Sequence, residues 1–191
     1  MSSTGNAYRK ITYGILLSAC HIVLNNRFEI LPAFIGYFMI FLGVGELCRL
    51  GASAYYEKEK RTSTIVLVLS GVGFAAGIFL GYSSYLSQLC YVVFFLLELL
   101  FYADLLSDTR KVFKEYNMIR EADKLKSDRK MILLLGMALG IVRLLAILFS
   151  VLGYVFHLGM IFYKIMLSLH MQKMAVLEFT FYKELEGGKQ V

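Results

Sequence analysis

The sequence predicts an all-α, polytopic transmembrane helical bundle of about six spans with both ends in the cytoplasm. Three observations carry this expectation: long unbroken apolar runs, a low overall charge, and a one-sided distribution of Lys and Arg. Hydrophobic residues make up 58% of the 191 and charged residues only 18%, against about 25% in ordinary soluble domains. With a mean hydropathy of +0.64, a chain this short could not hide its apolar surface in water, because small domains bury too little of it. A bilayer solvates such side chains directly and forces every backbone polar group to pair internally, so spans must be helices or closed barrels. Barrel strands alternate apolar and polar residues; the continuous runs here exclude them. The length allows one membrane domain, residues 1–191, and no sizeable soluble one.

A span needs about 20 apolar residues. The runs predict spans over 8–24, 30–48, 62–82, 85–106, 131–150 and 153–171, with a cytoplasmic basic loop at 107–130 and a short tail at 172–191. The first run ends at Asn25-Asn26-Arg27. The second carries Pro32 in its first turn, where a missing N–H is harmless. The last two share one apolar stretch, Met131 to Met171, whose natural break is Ser150 to Tyr154 around Gly153.

Cytoplasmic loops are enriched in Lys and Arg. Of the 20 such residues, 17 fall on one side of this threading. They are Arg9 and Lys10; Arg49, Lys58, Lys60 and Arg61; Arg110, Lys111, Lys114, Arg120, Lys124, Lys126, Arg129 and Lys130; and Lys173, Lys183 and Lys189. Only Arg27 falls on the other side, while Arg143 and Lys164 lie within spans. The net charge of +6 is therefore a topology signal, and nucleic acid is not an expected partner.

Cys20, Cys48 and Cys90 have neither metal-ligand nor disulfide spacing and read as small packing residues. Leu17-Ser18-Ala19-Cys20 has the form of a lipoprotein cleavage box. The apolar run continues through Ile22-Val23-Leu24 as an uncut helix would, so the segment reads as part of a span. His21, His157 and His170 are scattered. The chain has no phosphate-binding glycine loop, no His-Glu-x-x-His and no Gly-x-Ser-x-Gly. No catalytic residue, metal or cofactor is expected, and the chain does not read as an enzyme.

Two constellations stand out. Glycines spaced by four or seven share a helix face and let another backbone approach closely: Gly73, Gly77 and Gly81 in the third span, Gly136 and Gly140 in the fifth, Gly36 and Gly43 in the second. These faces are expected to be helix–helix seams, within the chain or between chains. The second constellation is intramembrane charge. Arg143 lies 12 residues into the fifth span, about 18 Å deep at 1.5 Å per residue, and Glu98 lies roughly 12 Å from the same edge. Lys164 sits at a depth similar to that of Glu98. Charge inside the membrane is expensive and seeks a partner, so Glu98, Arg143 and Lys164 are expected to form one buried cluster, with His21, Tyr102 and Tyr163 as neighbours. Such a cluster serves either as a structural ion pair that fixes helix register or as a proton- or anion-coupled path.

The 107–130 segment carries Val112, Phe113, Tyr116, Met118 and Ile119 among basic residues. It would lie on an anionic membrane surface, extend the fourth helix into solvent, or dock a partner protein.

Glu29-Ile-Leu-Pro-Ala-Phe-Ile-Gly-Tyr-Phe-Met-Ile-Phe-Leu-Gly-Val-Gly-Glu-Leu47 resembles a recurrent segment, Ile-Leu-Pro-Asp-Phe-Ile-Gly-Tyr, of small uncharacterised polytopic membrane proteins of Gram-positive bacteria. Ala33 stands where that segment has Asp, and the match covers about a tenth of the chain. The resemblance implies a bacterial plasma membrane and brings no activity with it. The sequence thus favours a non-catalytic accessory, sensory or assembly component of the plasma membrane, acting through helix seams toward a membrane-protein partner or a second copy. The alternative is a small permease or ion-coupled carrier built on the charged cluster.

Overall fold

A computed structural model describes residues 3–19, 23–24, 28–29, 32–49, 53–81, 85–115, 117–146 and 150–187. Among them are six α-helices: α1 Ser3–Ala19, α2 Ala33–Arg49, α3 Ser53–Leu80, α4 Tyr85–Glu115, α5 Ile119–Leu145 and α6 Ser150–Gly187. A two-residue antiparallel pair, β1 Val23–Leu24 and β2 Phe28–Glu29, lies between α1 and α2, with Val23 opposite Glu29 and Leu24 opposite Phe28. Cys20 and His21, and with them the cleavage box's last residue, fall outside the described residues.

Each helix packs on its sequence neighbours, and α6 returns to α1, so the six close into a ring. Side-chain contacts fix the direction of travel. Lys10 at the start of α1 pairs with Glu46 at the end of α2. Lys58 at the start of α3 lies 2.6 Å from Asp104 on the later part of α4. Asp128 in the first half of α5 lies 3.2 Å from His170 on α6. The helices therefore alternate up and down, and the start of α1 and the end of α6 sit at one end of the ring, here termed the charged end.

Local sequence explains the helix ends. The carbonyl of Pro32 accepts the first bond of α2, from the Ile35 amide at 3.1 Å. Gly81 closes α3 with φ 79° and donates its N–H to Gly77 at 2.9 Å. This is the left-handed cap for which glycine lacks the Cβ penalty. Asn117, φ 57°, stands between α4 and α5; asparagine tolerates that region better than most residues.

Several expected boundaries are corrected. The first helix begins at Ser3 and ends at Ala19, because Val23 and Leu24 are drawn into the small hairpin. The third begins at Ser53, nine residues before the expected span at 62. The connecting segment 107–130 takes the helical reading that the sequence allowed: α4 runs on to Glu115 and α5 starts at Ile119. No Gly or Pro interrupts 107–115, so nothing stops the helix where its apolar stretch ends. Gly153 lies inside the first turns of α6 rather than at the α5–α6 break, and α6 runs past 171 to Gly187. Among the described residues three helices, α3, α4 and α6, are long and apolar enough to cross a membrane.

The glycines divide into two groups. A Cβ on Gly36 would meet the carbonyl of Gly14 and, 2.5 Å away, the backbone nitrogen of Ser18; one on Gly43 would lie 2.7 Å from the carbonyl of Ala7. The α1–α2 seam is thus a backbone-to-backbone contact built on Gly36, Gly43 and Gly14. Gly14 was not marked by spacing. Gly136 receives the Leu99 side chain, and Gly140 lies against Phe95, which seats α4 on α5. On α3 the three glycines differ. A Cβ on Gly73 would meet open space, Gly81 serves as a cap, and only Gly77 of the three is buried within the helix.

Gly36→Leu should therefore force α1 from α2 and cost at least the 1–3 kcal/mol typical of overpacking. Gly73→Ala should be neutral, or gain up to about 1 kcal/mol of helix propensity. Thermal unfolding of the purified protein in detergent distinguishes the two.

Candidate functional site: a buried ion pair at the ring centre

α1 turns Ala7, Tyr8, Ile11, Thr12, Ile15 and Ser18 inward, the three- and four-residue spacing of one helix face. On α4 the inward positions include Phe95, Glu98, Leu99, Tyr102, Leu105 and Thr109, and on α6 they include Tyr163, Lys164, Leu167, Ser168 and Met171. These faces bring polar side chains together at two levels of the interior.

At the inner level, Lys164 Nζ lies 3.0 Å from Oε1 of Glu98. Both residues are buried, at 5% and 2% exposure. The approach is an ionic contact rather than a well-directed hydrogen bond, since Oε1 meets no donor at hydrogen-bonding angles. The ammonium spends its directed donors elsewhere: on the Ser18 hydroxyl at 3.0 Å, the Ser18 carbonyl at 3.3 Å and the Tyr37 hydroxyl at 3.0 Å. Its charge also sits 5.2 Å from the centre of the Tyr37 ring, which in turn stands edge-on to Phe94 at 5.2 Å. One cation thus joins α6 to α1, α2 and α4. The rings of Tyr102 and Tyr163 are fully buried and close enough to Glu98 to feel its charge.

The expected three-residue cluster divides. Glu98 and Lys164 meet, whereas Arg143 is set against aromatic rings: its guanidinium carbon lies 5.2 Å from the centre of Phe156 and 5.9 Å from that of Tyr91. Phe156 stands edge-on to Phe95 at 5.6 Å. Tyr91 precedes Glu98 by two turns of α4, about 10 Å, so Arg143 occupies a separate level. A desolvated cation on an aromatic face gains roughly 2 kcal/mol or more.

Nearer the charged end, Tyr8, Tyr56 and Thr109 form a triangle. The two tyrosine hydroxyls are 2.9 Å apart, and they reach the Thr109 hydroxyl at 3.3 and 3.2 Å. Thr109 passes its own proton to the Leu105 carbonyl at 2.8 Å. This triangle ties α1, α3 and α4 across the ring. Nothing in the sequence singled out Tyr8, Tyr56, Ser18 or Tyr37. A polar residue on a buried helix face is the signal that finds them, and it requires knowing the face.

Among the described residues no group of three His, Cys, Asp or Glu side chains could hold a metal ion. Cys48 donates its thiol toward the Tyr56 carbonyl at 3.2 Å, and Cys90 is exposed. A cleft of about 700 Å³ opens at the charged end between α4, α5 and α6, lined by Phe113, Lys124, His170 and Lys173 among others; Glu98, Arg143 and Lys164 do not line it.

Fold and site define an all-helical bundle, closed around a buried ion pair, with three helices fit by length and composition to cross a membrane. Comparison with protein-family models, with curated proteins and with solved structures finds no match to this chain.

Removing one member of the pair, as in Glu98→Leu or Lys164→Met, strands the other and should cost about 3–5 kcal/mol. Joint replacement, Glu98→Leu with Lys164→Met, should recover most of that loss. A double-mutant cycle by thermal unfolding in detergent measures the coupling.

Proposed function

We propose that the protein is a non-catalytic, six-span component of a bacterial plasma membrane, with both termini cytoplasmic, acting in a sensory, accessory or assembly role. The ion pair carries this reading. Lys164 is held at once by α1, α2 and α4, and the pair lies in the packed interior rather than on a cleft. That arrangement locks helix register, as buried polar contacts do where they confer specificity; a carrier instead requires its charges to face a water-filled cavity.

The placement in the membrane rests on two features. Five helices present large apolar side chains outward at helical spacing: Phe38 and Leu42 on α2, Val68 and Val72 on α3, Leu96 and Leu100 on α4, Leu134 and Ile141 on α5, Leu158 and Phe162 on α6. Water would not tolerate such a belt, and lipid does. The charged end gathers Lys10, Lys58, Arg110, Lys111, Lys124 and Lys173, the distribution expected of a cytoplasmic face. The resemblance of the segment from Glu29 to Leu47 adds the bacterial setting.

α1 and α2, at 17 residues or about 26 Å each, lie at the short end of a spanning helix and would cross by thinning the bilayer around them. The basic ends of α4 and α5 stand at the cytoplasmic surface, where anionic lipid is an expected contact. The outward opening at Gly73 is where another helix, of a partner or a second copy, could approach α3.

The reading is tested by reconstitution into liposomes loaded with a pH-sensitive dye, together with protease-accessible tags on both termini. The tags should be cleaved only from the cytoplasmic side, and an imposed pH gradient or membrane potential should drive no flux above that of empty vesicles. Flux that Arg143→Leu or Lys164→Met abolishes, in a protein that still folds, would establish the carrier instead.

A further inference from the structure

α4 turns two aspartates toward the start of α3, and each holds a lysine. Asp104 pairs with Lys58 at 2.6 Å, and Asp108 with Lys111 one turn along its own helix. Glu59, on α3 beside them, has neither. It is 1% exposed, and neither of its carboxyl oxygens has a hydrogen-bonding partner. It belongs to the charged turn Glu57–Arg61, which precedes the apolar stretch 62–82 and so lies outside the membrane-spanning part of α3.

The surroundings offer Glu59 no ion pair of its own. From α4 it faces Asp108, 6% exposed, and Asp104. One turn earlier on its own helix, Tyr56 is engaged with Tyr8 and Thr109. From α2 comes the neutral thiol of Cys48, pointed at the Tyr56 carbonyl. Lys58 is committed to Asp104, and the Lys60 side chain belongs to an exposed residue. An ionised carboxylate here would be buried beside a second carboxylate with no ion pair of its own, its backbone N–H and the more distant Lys58 being its only support, an arrangement that costs free energy unless the group neutralises instead. A protonated Glu59 removes the conflict, because its O–H can donate to the Asp108 carboxylate.

We propose that Glu59 and Asp108 form a proton-binding site at the cytoplasmic end of the bundle. One proton is shared between the two carboxyl groups, and its loss sets like charges against each other at the α3–α4 joint. The site gives the protein a chemical input, the cytoplasmic proton, delivered next to the Tyr8–Tyr56–Thr109 triangle that joins α1, α3 and α4.

Burial first, and then the neighbouring Asp108, hold the Glu59 carboxyl at about 8, well above the ordinary 4.5. Between those two values the folded protein carries a proton that the unfolded chain has released. Stability therefore falls as pH rises through this window and levels off above about 8.

The test is infrared pH titration of the full-length protein in lipid, paired with thermal unfolding from pH 5 to about 9 to bracket that window. The wild type should show the carbonyl stretch of a protonated carboxylic acid at pH 7, bleaching with a midpoint near 8. Glu59→Gln, isosteric and neutral, should lack the band and lose the matching fall in unfolding temperature. Asp108→Asn, which removes the like charge, should retain a titrating band with its midpoint moved to lower pH. If Glu59→Gln leaves both the spectrum and the pH slope unchanged, Glu59 is ionised throughout and the site does not exist. An unmoved midpoint in Asp108→Asn would overturn the pairing even if Glu59→Gln did not fold.

Discussion

The ammonium of Lys164 is the constraint around which the bundle is arranged. A primary amine in an apolar interior must find an anion and acceptors, and it finds them on three other helices: Glu98 on α4, Ser18 on α1 and Tyr37 on α2. In lipid, apolar surfaces gain little by facing each other instead of acyl chains, so close packing and polar contacts must select the helix partners. Leu167 and Met171 on α6 can pack against many neighbours; Lys164 can be satisfied at one rotation and one depth. The closed ring follows as the arrangement that lets α6 reach α1, α2 and α4 together.

The rest of the structure adapts to that demand. Ser18 and Tyr37 can meet at one cation because α1 and α2 touch through Gly14, Gly36 and Gly43; larger residues there would hold the two helices apart. Leu99 fills the space left by Gly136 one residue beyond Glu98, seating α4 on α5 at the level of the pair. Arg143 is accommodated separately by Phe156 and Tyr91, which lets the second buried cation stay away from the first. Two like charges sharing one carboxylate would have left one of them poorly compensated.

The six helices among the described residues were legible because long apolar runs leave few other structures available. Their ends were not legible from the same signal. Hydropathy reports where a helix can meet lipid, and the charged turns Ser53–Arg61, Ser107–Glu115 and Ile119–Lys130 are helices that leave the apolar layer without unwinding. Matched depth brought Glu98 and Lys164 together, but the sequence equally joined Arg143 to Glu98; Arg143 lies about 6 Å deeper at 1.5 Å per residue and meets Phe156 and Tyr91 instead. Which face each residue occupies could not be read. Gly73 and Gly77 have the same spacing as Gly136 and Gly140, yet Gly73 opens outward while Gly136 accepts a leucine. Glu59 was hidden among Glu57, Lys58, Lys60 and Arg61, where a charged run reads as solvated; its burial depends on α4 crossing that turn.

The most direct test of this account is the distance between the Lys164 nitrogen and the Glu98 carboxyl in a lipid bilayer, measured by solid-state NMR dipolar recoupling on selectively labelled protein. Contact at the 3.0 Å N–O separation predicts a strong coupling between the Lys164 ¹⁵Nζ and the Glu98 carboxyl ¹³C. No detectable coupling, in a sample whose helical content is intact, would contradict the central pair and the ring assembled on it.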